Sequence, residues 1–312
     1  MTGRGGIGNV AAAAGIAAAA GAAQLGLGYG LGIVNWLPGV GGVLSDDAWV
    51  AGLTWAVWIS ATSVIVGAVI AERLSRPAAP AHGFTALLWR LLLAVAAAIG
   101  ALVAVALVAV PARAVELADA STPPVVAAGY ATLGVLAGLV LAALALAARA
   151  VAANLLAAFV WLWGFAVVAV ADRVANGADE GRVPLGFWDF TAAEPWYRNI
   201  LLPDAGPVLG AALVIGALTA LPAARRGDGP VGVATSGAAG PLLLAAAYLL
   251  TQPSLVGVEP LELSRHLVVP YAVLAGLVGS LLAALARPRR APALADPPSE
   301  GTAAGPGSAT GD

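Results

Sequence analysis

Eight stretches of this chain are long and apolar enough to fill the width of a bilayer, over roughly 9–34, 48–70, 87–110, 124–148, 152–171, 206–222, 231–250 and 267–286. A bilayer core accepts about 20 mostly apolar residues as a helix. Lipid offers no partner to a backbone N–H or C=O, so each crossing segment must satisfy its own, and the runs lack the period-two alternation of barrel strands. The chain is 60% hydrophobic and 10% charged, whereas a soluble domain carries about 25% charged residues. Too few polar side chains exist to coat a globule. The expected fold class is all-α, a polytopic transmembrane helix bundle of about eight spans whose first partner is the lipid bilayer.

Two spans need a closer reading. The first is rich in Ala and Gly and contains Gln24. Arg4 and the small residues at 20–23 would also suit a cleaved signal peptide, but the apolar stretch continues through Ile33 and Val34, which is long for one. A retained span is the expectation. The fourth and fifth runs are separated only by Arg149 to Val151, extending at most to Asn154. Together they are too long for one crossing and predict a tight helical hairpin.

Arginine placement sets the orientation. With eight spans, Arg4, Arg73, Arg76, Arg90, Arg149, Arg225, Arg226, Arg287, Arg289 and Arg290 fall on one side, and Arg113, Arg173, Arg182, Arg198 and Arg265 on the other. The positive-inside rule places the richer side, and both termini, in the cytoplasm of a cell membrane. The loop from Asp172 to about Ala205 is then outside. Thr191 to Glu194 resembles a capping box there, and Trp196 and Tyr197 read as part of a helix lying in the interface, with Trp36 and Trp49 in the same aromatic belt. Residues 288–312 are Pro, Ala, Gly, Ser and scattered acids, a composition that predicts a disordered tail.

Val135–Val140 recurs as Val273–Val278, and extension to Arg149 and Arg287 gives ten identities in fifteen positions. Val64–Ala68 and Leu213–Ala217 are also alike. Together they suggest a parallel 4+4 repeat, though strings of Ala, Val, Leu and Gly also match by chance. Gly28-x-x-x-Gly32 and Gly134-x-x-x-Gly138 fit the spacing that lets helices pack closely.

Chemistry-bearing residues are sparse. The chain has no cysteine, which excludes disulfides, thiolate chemistry and cysteine-ligated metal. A net charge of −2 argues against a nucleic-acid partner. No Asp, Glu, Lys or His lies near the middle of a run, although such residues are the usual functional signal inside a membrane. No catalytic, cofactor-binding or metal-binding residue is assigned, and no cofactor is expected. Gln24, Tyr130 and Asn154 are polar span residues suited to helix–helix hydrogen bonding. Gly240-Pro241, just after Thr235-Ser236, predicts a kink, because proline lacks an N–H and clashes with the carbonyl of Gly237. A candidate substrate path would use Gln24, Tyr130, Thr235, Ser236, Gly240 and Pro241.

Ser45-Asp46-Asp47 reads as an N-cap and acidic first turn. Glu262, Arg265 and His266 have the spacing of a surface helix pair. His82 has no metal-ligand partners in sequence.

Pro222–Asp228 and Val231–Tyr248 resemble multi-pass membrane proteins, of no assigned activity, that are common in high-GC actinobacteria. The resemblance implies membrane localisation and carries no reaction. Three functions stay open: a scaffold or accessory subunit working with a membrane-protein partner; a small-solute or lipid transporter; and an enzyme acting on a lipid-linked substrate through Asp46, Asp47, Asp189 or Glu194.

Overall fold

A computed structural model of the chain describes residues 3–36, 44–75, 83–115, 122–175, 183–187, 202–252 and 260–286. The helices are α1 (Gly3–Gly30), α2 (Asp46–Leu74), α3 (Phe84–Ala109), α4 (Pro123–Ala147), α5 (Arg149–Ala175), α6 (Leu202–Arg226), α7 (Pro230–Thr235), α8 (Ala239–Thr251) and α9 (Pro260–Leu285). Among the described residues there is no strand. Eight spans are long and apolar enough to cross a membrane, with α7 and α8 forming the seventh. The predicted interfacial helix and tail lie outside the described residues, as do Asp189, Glu194 and His82.

Local sequence explains the helix ends. Ser45 is the N-cap of α2, its Oγ accepting from the Ala48 N–H at 3.3 Å, and Asp46 and Asp47 fill the first turn where the helix dipole favours acids. α1 stops at Gly32, which adopts φ +67. The Ile33 N–H donates to the Gly28 carbonyl at 2.9 Å and the Gly32 N–H to the Tyr29 carbonyl at 3.2 Å, the paired bonds of a Schellman motif. Gly28-x-x-x-Gly32 therefore ends a helix instead of packing two together. Between α4 and α5 only Ala148 leaves the helical region, at φ −136 and ψ 114, so the joint falls one residue before the predicted turn.

α2 is the central post. In its most apolar window 94% of residues are buried, because α1, α3, α4 and α8 surround it. Gly134 and Gly138 of α4 lie against the Val57 and Ala61 backbone of α2, leaving no room for a Cβ. This is the close approach their spacing predicts. Trp36 and Trp49 are buried and meet edge-on, with centroids 5.0 Å apart, so they belong to the interior and not to an outward belt. Trp36 Nε1 donates to the Tyr29 hydroxyl, which donates to the Leu107 carbonyl, each at 3.0 Å.

The second half centres on α6 against α9, the most extensive helix pair of the bundle. Gly276 of α9 abuts the backbones of Gly216 on α6 and Gly237 in the turn between α7 and α8. Gly138 and Gly276, the glycines of the two Val-Leu-Ala-Gly-Leu-Val stretches, thus lie against the second and the sixth span. Gly67 and Gly216 do not correspond: Gly67 abuts Ala13 and Ala17 of α1.

Candidate functional site

The six residues of the candidate path are not brought together. Gln24 is buried where α1 meets α2 and α5. Its Oε1 accepts from Trp163 Nε1 at 3.0 Å and lies 3.0 Å from the Thr62 hydroxyl, while its Nε2 donates to Ser63 Oγ at 3.2 Å. A buried amide costs free energy unless both its ends find partners. Here both do, and the side chain clamps three spans. Tyr130 on α4 is half-buried and packs against the core. Thr235 is exposed and donates back to the Val231 carbonyl at 2.9 Å. Ser236 is buried and donates to the Val233 carbonyl at 2.8 Å.

The seventh span is tightened by one 3-10 turn that precedes Pro241, its cap residues staying in the right-handed helical region. α7 ends at Thr235, Ser236–Ala238 form one 3-10 turn, and α8 restarts at Ala239. Pro241 is therefore the third residue of α8, where a helix has no use for its N–H. The neighbouring freed groups are satisfied from other spans. Asn154 Oδ1 on α5 accepts from the Gly240 N–H at 2.8 Å. Ser280 Oγ on α9 donates to the Ala234 carbonyl at 2.6 Å. Asn154 is fully buried, and its Nδ2 reaches Thr219 Oγ1 on α6 at 3.4 Å. Beside this junction lies a mainly apolar crevice of about 40 Å³ lined by Asn154, Trp161, Leu162, Gly240, Pro241 and Leu244.

A larger pocket, about 100 Å³, opens at the end of the bundle where α2 begins, the outer pocket in the orientation expected from the arginines. Its polar lining comes from Asp46, Asp47, Thr54, Tyr248, Gln252 and His266. Thr54 and Thr251 share a hydrogen bond at 2.9 Å across α2 and α8. His266 meets Tyr248 edge-on at 5.2 Å. Arg265 and His266 are each only 4% exposed, so the predicted surface pair is internal: α9 turns these side chains into the bundle. Acids and imidazole thus meet in one pocket, a convergence that positions 46, 47 and 266 do not reveal in sequence. Among the described residues no group of three His, Asp or Glu is arranged to hold a metal ion.

Sequence reasoning also missed a buried connecting segment. Val183–Phe187 is non-helical, yet Val183, Leu185 and Phe187 are at most 2% exposed. Trp55 Nε1 of α2 donates to the Val183 carbonyl at 2.9 Å, and the Tyr248 hydroxyl of α8 donates to the Leu185 carbonyl at 2.8 Å. The apolar Val-Pro-Leu-Gly-Phe sequence is its one signal.

These features fit a multi-pass, membrane-embedded helical protein. Compared with known proteins, the chain matches no family model, no curated protein and no solved structure.

Proposed function

We propose that the chain is a scaffold or accessory subunit of an assembly in the cell membrane, with both termini cytoplasmic. The observation that carries this reading is that the polar side chains of Gln24, Asn154 and Ser280 are each taken up by groups on neighbouring spans. Gln24 is spent on three spans, and the backbone freed at the seventh span is taken by Asn154 and Ser280. A conduit keeps such groups open to its cargo. The outward faces instead carry large apolar side chains, such as Leu92, Ile99 and Leu102 on α3 and Leu136 and Val140 on α4, suited to lipid or to another membrane helix. Photo-crosslinking groups at Ile99 and Leu136, activated in native membranes, test the reading. A discrete adduct to one integral membrane protein is expected; adducts to lipid alone would overturn it.

A transporter is the second reading, favoured by the crevice at Gly240 and Pro241 beside a span that carries a 3-10 turn. The same photo-crosslinking separates the two, since a transporter acting alone gives lipid adducts only. The enzyme reading has less support: Asp46 and Asp47 share a pocket but also complete the first turn of α2.

The parallel 4+4 duplication is likewise proposed. In support, the second span packs extensively on the fourth in each half, α2 on α4 and α6 on α9.

A further inference from the structure

We infer that Val183–Phe187 is a stopper: it seals the crevice at Gly240–Pro241 from the outer pocket, and its withdrawal joins the two into one water-accessible cavity. The inference does not depend on which proposed function holds.

The segment is a wall of both spaces. Pro184 and Leu185 line the outer pocket, Gly186 lines the crevice, and no described residue lines both cavities. The two cavities are one helical turn apart along α8, since Leu244 faces the crevice and Tyr248 the pocket. Leu185 and Phe187 supply the bulk that fills the gap, at 1% and 0% exposure. Gly186, at φ +78, lets the chain turn where a Cβ would come within 2.8 Å of Leu162 Cδ2.

The segment is held by its buried apolar side chains and by few described polar anchors. A helix holds its place through a ladder of backbone bonds, but this segment's described backbone bonds are one internal turn, Phe187 N–H to the Pro184 carbonyl at 3.3 Å, and two carbonyls held by side chains. Those side chains, Trp55 and Tyr248, stand on different spans. A small shift of α8 relative to α2 would loosen one anchor without unwinding either helix.

The chain has no cysteine, so one introduced thiol reports one place. Ala212→Cys puts it on the crevice wall, at a position 7% exposed. Protein in lipid nanodiscs, which present both faces to solvent, is treated with a cationic methanethiosulfonate that does not cross lipid. Slow labelling is expected in the otherwise unaltered chain. Tyr248→Phe, which removes one anchor with little change of shape, and Tyr248→Phe combined with Trp55→Phe should each accelerate it, at least tenfold for the pair. Ala97→Cys on α3, fully buried away from both cavities, is the control and should stay unlabelled. Rapid labelling of Ala212→Cys in the intact background would mean there is no seal. An unchanged rate in both anchor variants would mean the segment does not control access. An equal rise at Ala97→Cys would mean the bundle has loosened as a whole. Any of these three overturns the inference.

Discussion

Asn154 on α5 caps a helix that it does not belong to: its Oδ1 accepts from the Gly240 N–H, 86 positions along the chain, at 2.8 Å. Ordinary N-caps are local and use the residue just before the helix. Here Ala238 stands in that place and has no side-chain acceptor.

Asn154→Ala should therefore destabilise the protein well beyond the loss of a surface amide. It strands a buried N–H, which costs about 1–3 kcal/mol. Unfolding in mixed micelles titrated with SDS measures this directly. A change under about 0.5 kcal/mol, within the range of surface substitutions, would contradict the capping role.

Gln24→Leu removes the clamp on α1, α2 and α5 and leaves the Trp163 indole N–H and the Thr62 and Ser63 hydroxyls without this partner. A loss of about 1–3 kcal/mol is expected. Tyr130→Phe, on a half-buried position of α4, should sit near zero. The same SDS titration ranks the two, and equal effects would count against the clamp.

Gly138→Val should break the contact between α2 and α4, because any Cβ meets the Ala61 backbone. Overpacking of this kind costs about 1–3 kcal/mol and often more when backbone must move. Gly164→Val on α5 has nothing within 4 Å of the new Cβ and should be tolerated. Size-exclusion profiles in detergent compare them: the first should shift toward aggregate and the second stay monodisperse.

Ser45→Ala removes the α2 cap seen at 3.3 Å and should cost about 1 kcal/mol, while Ser45→Gly should cost only a few tenths. Thermal unfolding of the two variants side by side tests this order.

Reporter fusions after Asp228 and within 175–195 should report opposite sides of the membrane, the first cytoplasmic, as the arginine distribution requires. Both on one side would refute the orientation.

What could be read from the sequence was what the sequence encodes locally. Hydropathy over about 20 residues is a local property, and it placed all eight spans. The Ser45 cap and the Gly138 contact are also written in adjacent residues or one helical repeat. What escaped depends on residues far apart in the chain. Asn154 is one polar residue in an apolar run until Gly240 is folded against it. Gly28 and Gly32 have packing spacing, and only the chain folding back through Ile33 and Val34 shows them to be a stop. Arg265 and His266 look like surface charges until α9 is seen to turn them inward. The 3-10 turn in the seventh span falls ahead of Pro241 because a proline is easily accommodated in the first turn of a new helix.

The corner at Ala148 also joins the movements of the two helices that flank it. One extended residue leaves no slack between α4 and α5, so a displacement of either helix at this end, up or down through the bilayer, is handed directly to the other.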